Sequence, residues 1–430
     1  MIVNFSVQNF GSIKQLQTLS FEADAAAHLE ESYTVQVGKL RLLKLALIYG
    51  ANASGKTTLL TALDFLRKLV LEPAHKKTDE LDFNPFLFDK KTPHQNTVLS
   101  LSFIHQEIKY SYEVVFFKKA IVSEELNFYN PNKANLYKRT TSLANQFTAI
   151  SFGSKIAKDK ALEKSLEANT LWNNTVLGGF LKTNINFKEL QVVIDWFKEY
   201  LKPMVSTRTA LEELVTTAIR ENAIAKEAVV RILKQADFNI TDIIIDEQEE
   251  QLSAGLLAFL KNQVKEPDAT FKKLEERGKV TSVNIEFEHS INKAKYTLPL
   301  ALESEGTKRY YGLAGLLALL IATPTVFAID ELEASLHPDL YLHFLLSFVL
   351  NAKHSQLIAT THNRELLDNK AVFRNDVIWF TDKKNDAATV LYSLADFDSA
   401  VIRNTTNILN AYKAGRLNGT PNLGDTYIDT

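Results

Sequence analysis

The sequence predicts an α/β chain: a mixed β-sheet core, an antiparallel β-subdomain and an inserted helical subdomain. Three observations carry that expectation. An apolar run of strand length, residues 42–49, ends at a glycine-rich loop that opens into a stretch with helical spacing. Residues 97–128 alternate apolar and polar side chains in runs broken by turn signals, the pattern of an antiparallel meander. From residue 325 onward, short apolar runs alternate with helix-length segments, a βαβ rhythm that places parallel strands in a sheet covered on both faces.

Each element follows in order. Ile2, Phe5, Val7 and Phe10 alternate with polar residues, as do Ile13, Leu16, Leu19 and Phe21, and the break at Asn9-Phe10-Gly11-Ser12 reads as a tight turn between two edge strands. After Gly50, Leu59, Leu63, Leu66 and Val70 share one helical face within residues 57–70. In the meander, Leu99, Leu101 and Phe103 alternate, His105-Gln106-Glu107 turns the chain, Ile108 to Phe116 alternate again, and residues 124–128 add a strand. From 153 to 275 the texture is helical, with Leu190, Val193, Ile194, Phe197 and Leu201 on one face and Leu211, Leu214, Val215 and Ala218 on another. Pro203 and Asn239 interrupt it, Ile243-Ile244-Ile245 reads as a strand inside it, and no sustained heptad predicts coiled-coil arms. Val283, Ile285 and Phe287 resume strand alternation and pair, through a turn near Ser290-Ile291-Asn292, with residues 296–300. The closing segments read as a helix over 310–322, a strand over 325–330, a helix over 340–350, a strand over 356–361, a helix near 364–367 and a strand over 377–381. The domain reading is an N-terminal lobe 1–152, a helical insertion 153–275 and a C-terminal lobe 276–430, with no internal repeat.

Composition removes several function classes. The chain has no cysteine, which excludes disulfide frameworks, thiolate nucleophiles, zinc ribbons and iron–sulfur clusters. Its 49 basic and 51 acidic residues leave a formal charge of −2, without the global basic excess of a nucleic-acid coat, although a local patch stays open. Lys118-Lys119 and Lys272-Lys273 are the short basic pairs that hint at one, and such pairs are ordinarily solvated surface. Residues 313–329 are almost wholly apolar, but Pro324 splits them between Thr323 and Thr325, so a buried helix and a buried strand are expected rather than a membrane span. The N-terminus carries no positive region followed by a cleavable apolar segment, so the expected location is cytoplasmic.

Four motifs carry chemistry. Gly50-Ala51-Asn52-Ala53-Ser54-Gly55-Lys56-Thr57 fits G-x-x-x-x-G-K-[ST], a loop whose backbone N–H groups turn toward phosphates. Lys56 adds a cation to the same oxygens, the Thr57 hydroxyl can ligate Mg²⁺, and Gly50, Asn52, Ala53, Ser54, Gly55, Lys56, Thr57 and Thr58 are the expected nucleotide contacts. Val326-Phe327-Ala328-Ile329-Asp330-Glu331 is a buried strand ending in two carboxylates: Asp330 can hold the magnesium, usually through water, and Glu331 can polarise an attacking water. Gln356 to His362 is another apolar strand with a polar end. His362 can donate to a γ-phosphate or the attacking water, or it can simply cap the next helix. Lastly, Leu302-Glu303-Ser304-Glu305-Gly306-Thr307-Lys308-Arg309 leads into the helix from Tyr310, where Ser304 and Gly306 can form an anion site, or Ser304 or Thr307 can serve as a helix cap.

In this order, the motifs resemble the ABC-type P-loop ATPase head of SMC, RecF and OLD proteins. More narrowly, they resemble the compact ABC/AAA-like ATPases of bacterial anti-phage defence and abortive-infection operons, such as PtuA-like, AriA-like and RloB-partner ATPases. The resemblance rests on Asn9 to Ser12, Tyr49 to Thr58, Glu303 to Arg309, Ile329 to Pro338 and Thr361-His362-Asn363, with Ala411-Tyr412-Lys413-Ala414-Gly415-Arg416 as a weaker match. It implies an ATPase that sandwiches Mg-ATP between two heads of a homodimer, on which a larger assembly can build. Asn9 to Ser12 would lie near the adenine. Ser304 and Gly306 would form the signature that contacts a γ-phosphate on the other protomer, and Ala334-Ser335-Leu336-His337 would be the D-loop. Two departures stand out: Ser304-Glu305-Gly306-Thr307 replaces L-S-G-G-Q, and His337 stands where transporters usually carry Asp. Gln95 and Gln106 are the candidates for the Q-loop.

The resemblance favours a sensor or regulatory ATPase of a defence system that controls a separate effector, a nuclease or toxin. Only 68 residues follow His362, too few for a Toprim nuclease, and the nine histidines are scattered, so no nuclease site is expected in this chain. The alternative is a RecF-like DNA-binding repair ATPase, which would bind duplex in a salt-sensitive way. A transporter motor fits poorly, because 247 residues separate Thr57 from Ser304 and no membrane partner is implied.

Overall fold

The structure, a computed structural model, describes residues 1–156, 160–251, 279–369, 371–397 and 408–420. Lys272-Lys273 and residues 252–275 of the expected helical insertion lie outside the described residues. The chain forms two compact units: Met1–Thr209 with Leu320–Ala334 and Tyr341–Thr430, and Ala210–Leu319 with Ser335–Leu340.

In the first unit, β1 (Ile2–Gln8) and β2 (Gln17–Ser20) form the expected hairpin. A small hairpin of β3 (Thr34–Val37) and β4 (Leu40–Leu43) follows, and β5 (Leu45–Gly50) leads to the glycine loop. The meander comprises β6 (Thr97–His105), β7 (Ile108–Phe117), β8 (Ala120–Tyr129), β9 (Lys133–Ser142) and β10 (Phe147–Phe152). These strands join the first hairpin in one antiparallel sheet, ordered β10-β9-β8-β7-β6-β1-β2. Of the two strands expected as edges, only β2 is one, and β10 forms the other edge of the sheet. β1, expected as one, is paired on both sides, because alternation reports a buried face and is silent about which strand edges are bonded. The β6–β7 turn falls at Gln106 and Glu107, both left-handed at φ 48° and 64°, as a two-residue hairpin with matching twist requires.

β9 and β10 lie beyond the expected end of the meander. Their buried face is filled partly by Arg139, which is 1% exposed and donates to the Ile121 and Trp172 carbonyls and to Thr148 Oγ1. An inward arginine breaks the apolar alternation that marks a strand. The apolar run 42–49 is likewise split at Lys44, whose buried ammonium donates to the Val349 (2.6 Å) and Ala352 (2.9 Å) carbonyls at the end of the helix Pro338–Asn351. Burial lowers this lysine's pKa to about 8.

In the second unit, β11 (Ile240–Gln251), β12 (Lys279–Ile291) and β13 (Ala294–Pro299) form an antiparallel sheet, with a turn at Asn292 and Lys293. β11 is longer than the three isoleucines that announce it. Helices Leu211–Arg220 and Lys226–Gln235 belong to this unit, and Phe287 packs edge-on to Tyr311.

The first unit's second sheet has the order β14 (Val326–Ile329), β15 (Gln356–Thr360), β5, β16 (Ile378–Lys383) and β17 (Thr389–Ser393), parallel except for β17. Every residue of β5, β14 and β15 is buried, which explains why these strands read as continuous apolar runs. Residues 201 and 205 make parallel bridges to Val326 and Ile329, extending the sheet past β14. The apolar stretch 313–329 resolves into the end of the helix Glu305–Ala322 and β14. Among the described residues no helix is long and apolar enough to cross a membrane.

Candidate functional site

The carboxyl ends of β5, β14 and β15 converge, which is where ligands bind in open parallel sheets. β5 delivers the loop 50–55 and the helix Lys56–Leu71. Ala53 and Gly55 are left-handed, at φ 61° and 105°, so the loop's amides curl around a common centre. Gly55 has no substitute here: an added Cβ would stand 2.2 Å from Thr389 Oγ1 and 2.7 Å from Ser12 Oγ.

The loop is braced from beneath by hydroxyls. Ser54 Oγ lies 2.6 Å from Thr381 Oγ1, on β16. Thr389 Oγ1, on β17, donates to the Ser54 carbonyl at 2.8 Å and lies 2.8 Å from Ser12 Oγ, which is 3.0 Å from Thr58 Oγ1. Thr381 and Thr389 escape a motif reading because polar residues at strand ends carry no distinctive spacing. Asn52, Ala53 and Thr57 are exposed at the mouth of the loop.

Lys56 folds back over the loop, donating to the Gly50 (2.8 Å) and Ala51 (3.1 Å) carbonyls. Burial holds its pKa below the ordinary lysine value, while the charges of Asp330, Glu331 and Glu333 pull it upward. The Thr57 hydroxyl faces both carboxylate oxygens of Asp330, at 3.0 and 3.2 Å. Asp330 is fixed from the other side by Thr360 Oγ1, which donates to Oδ1 at 2.6 Å and accepts from the Glu331 amide at 2.7 Å. Thr360 is not among the expected site residues, yet it ties the Asp330 carboxylate and the Glu331 backbone to the neighbouring strand.

Glu331 turns sharply, with φ 47°, and its Oε1 lies 3.8 Å from His362 Nε2. The His362 side chain is 38% exposed, so it can meet a ligand. Partial burial, then the charge of Lys56, depresses its pKa below the usual histidine value, which favours the neutral imidazole. The helix-capping alternative for His362 fails on geometry: Asn363 Oδ1 caps the turn Arg364–Asp368 by accepting from the Glu365 amide.

The structure thus gathers Gly50, Asn52 to Thr58, Asp330, Glu331 and His362 in one place. Hard oxygen donors, the Thr57 hydroxyl and the Asp330 carboxylate, stand together at its mouth, a set suited to Mg²⁺. Among the described residues no group of three or more His, Cys, Asp or Glu could hold a metal alone. A magnesium here would draw its remaining ligands from phosphate and water, as that ion commonly does.

The other expected positions have different surroundings. Asn9 is 1% exposed and its amide is fully engaged, donating to the Thr92 and Gln95 carbonyls and accepting from the Phe86 amide. It shapes the 86–97 connection, whereas Ser12 touches the glycine loop. Gln95 meets Asn9 through its carbonyl, and Gln106 sits in the β6–β7 turn. Lys118 donates to the Phe83 carbonyl and lies over the Phe83 ring. In the second unit, Ser304 Oγ accepts from the Thr307 amide at 3.1 Å and so caps the helix Glu305–Ala322. A Cβ on Gly306 would lie 3.1 Å from the Ser335 carbonyl oxygen, so this helix start abuts the expected D-loop.

The fold is similar to a solved SMC head domain from Thermotoga maritima, over 91% of this chain and 98% of that one, at 13% identity and TM-score 0.40. An SMC head bound to the C-winged helix domain of ScpA gives 13% identity and TM-score 0.44, over 94% of this chain and 99% of that one. An SMC head with an extended coiled coil, bound to the C-terminal domain of ScpA derived from Pyrococcus furiosus, gives 12% and 0.42, over 96% and 99%. No curated protein sequence matches the chain. The model of the family described as "AAA domain, putative AbiEii toxin, Type IV TA system" matches residues 45–368, which span the glycine loop, the two carboxylates and His362, and the chain belongs to that family.

Proposed function

We propose that this chain binds Mg-ATP on the loop 50–58 and hydrolyses it, with Glu331 as general base and His362 as the neutral group that orients the γ-phosphate or the attacking water. The observation that carries this reading is the meeting of three strand ends: Thr57 faces Asp330 at 3.0 Å, and Glu331 faces His362 at 3.8 Å. The loop amides and the start of the helix Lys56–Leu71 supply partial positive charge to the phosphates. Lys56 exchanges the Gly50 and Ala51 carbonyls for phosphate oxygens, regaining a full counter-charge. Thr57 and Asp330 would hold magnesium, which would supply positive charge to the phosphates. Glu331 takes the proton of the attacking water as its oxygen bonds to the γ-phosphorus, and the bond to the bridging oxygen breaks to release ADP.

Ser304 and Gly306, beside the Ser335 backbone, present a second, separate contact surface of the kind that completes a nucleotide site in a partner head. ATP then acts as the adhesive of a homodimer, and hydrolysis loosens it. We assign that switch to the control of a separate effector, a nuclease or toxin, in a bacterial anti-phage system.

The test is the variant Glu331→Gln, assayed for ATP turnover and sedimented with Mg-ATP. Turnover should fall about 100-fold or more, since a general base commonly contributes that much, and the protein should sediment as a dimer. Turnover at the wild-type rate would remove the base assignment, and a monomer at saturating ATP would remove the sandwich. Affinity purification from cells expressing the intact locus should recover a nuclease or toxin; recovery of DNA-repair factors instead would favour the RecF-like alternative.

A further inference from the structure

The turn after Glu331 brings a third carboxylate into the site. The Glu331 amide donates to Thr360 Oγ1 (2.7 Å), the Leu332 amide to the Thr360 carbonyl (3.2 Å), and the Ala334 amide closes the turn on the Glu331 carbonyl (2.9 Å). This geometry swings Glu333 back over the end of β15, where its Oε1 accepts from the backbone amide of His362. Its second oxygen, Oε2, is buried and has no hydrogen-bond partner among the described residues. The carboxylate lies close enough to Lys56 and His362 to favour their charged forms, and beside the buried Tyr49 and Tyr341 hydroxyls it disfavours theirs. Glu333 is half-buried: one carboxylate oxygen is enclosed and the other is engaged by the His362 amide.

We propose that Glu333 is a positioning residue: it clamps the main chain at His362 so that the imidazole stays within reach of Glu331. A charge-assisted acceptor suits this role, because such a bond is about twice as strong as a neutral one. The clamp also links the strand that supplies Asp330 and Glu331 to the strand that supplies His362, so a movement of residues 331–334 is transmitted to the histidine. This inference rests on the ATPase reading for its consequence, but not for its geometry.

The experiment uses the full chain with Glu333→Ala and Glu333→Gln. Glutamine keeps an Oε1 acceptor and loses the charge; alanine loses both. Amide hydrogen exchange at His362, followed by NMR, should accelerate about 10- to 100-fold in the alanine variant, the loss of one hydrogen bond to a charged group. The glutamine variant should exchange about 3- to 10-fold faster than wild type, because a neutral acceptor keeps about half of the bond's strength. In parallel, kcat should fall about tenfold or more in Glu333→Ala with ATP affinity unchanged, and recover largely in Glu333→Gln. An unaltered His362 exchange rate in Glu333→Ala overturns the clamp. So does a glutamine variant as defective as alanine, which would make the charge, not the bond, the active feature. If the wild-type chain turns over no ATP, the ATPase reading fails, and the exchange rates alone decide whether Glu333 holds His362.

Discussion

Replacing Thr360 with valine removes one hydroxyl from a fully buried position and leaves the side chain's shape nearly unchanged. That hydroxyl donates to Asp330 Oδ1 at 2.6 Å and accepts from the Glu331 amide at 2.7 Å. The first bond is to a carboxylate, worth about 1.5–3 kcal/mol, and the second leaves an amide without its acceptor, at about 1–3 kcal/mol. Both partners are only partly buried, so water offsets some of this loss, and a destabilisation of about 2–4 kcal/mol is expected for the nucleotide-free protein. At about 2 °C per kcal/mol for a unit of this size, the melting temperature should fall by about 4–8 °C. The assay is thermal unfolding at one fixed scan rate, with Thr360→Ser as the control that keeps the hydroxyl and loses a methyl group. Serine should cost about 1 kcal/mol, the value of one buried methylene-sized group. A valine variant that melts within a degree of wild type, or a serine variant more damaged than valine, would refute the claim that this hydroxyl fixes the Asp330 carboxylate and the Glu331 backbone.

Two further outcomes follow from the same geometry. Gly55→Ala should abolish nucleotide binding while leaving the fold intact by circular dichroism, because the methyl group would fall 2.2 Å from Thr389 Oγ1 at φ 105°; normal affinity would show that the loop relaxes freely. His362 should titrate below 6.5 by NMR, and Lys56→Ala should raise its pKa by removing a neighbouring positive charge. The sign for stability is set by the depressed folded value: as pH falls below 6.5 the unfolded chain takes up the proton first, so this histidine's contribution is lost toward acid. A titration above 6.5, or no response to Lys56→Ala, would contradict the arrangement.

Much of the site is legible in the sequence because its constraints are local. Gly50, Gly55 and Lys56 must occur at fixed spacing for one loop to wrap a phosphate, and β5, β14 and β15 read as unbroken apolar runs because both faces of their sheet are covered. What the sequence conceals is set by residues far apart in the chain. Ser54 meets Thr381, Ser12 meets Thr389, and Glu333 meets His362; each is an ordinary polar residue whose role exists only after folding. Strands β9 and β10 are hidden for a related reason. Arg139 occupies a core position there, near the buried carboxylate of Glu124, and a charged residue facing inward looks like solvent exposure until its partners are known. Lys44 divides two strands that read as one because its stem is apolar and its ammonium finds carbonyls about 300 residues away in sequence. Ser304 shows the limit in the other direction: a helix-capping serine and an anion-binding serine have the same sequence context, and the cap, which uses the hydroxyl oxygen as acceptor, is compatible with both roles.

The central claim is that nucleotide phosphates rest on the loop from Gly50 to Thr57 against the ammonium of Lys56. Titration calorimetry with Mg-ATP, on the wild-type chain and on Lys56→Ala, tests it most directly. The account predicts saturable, magnesium-dependent binding by the wild type, weakened about 10- to 100-fold in the alanine variant through loss of a charged phosphate contact. Equal affinity in the two proteins, or a wild-type chain that releases no heat with Mg-ATP and binds none by equilibrium dialysis, would contradict it.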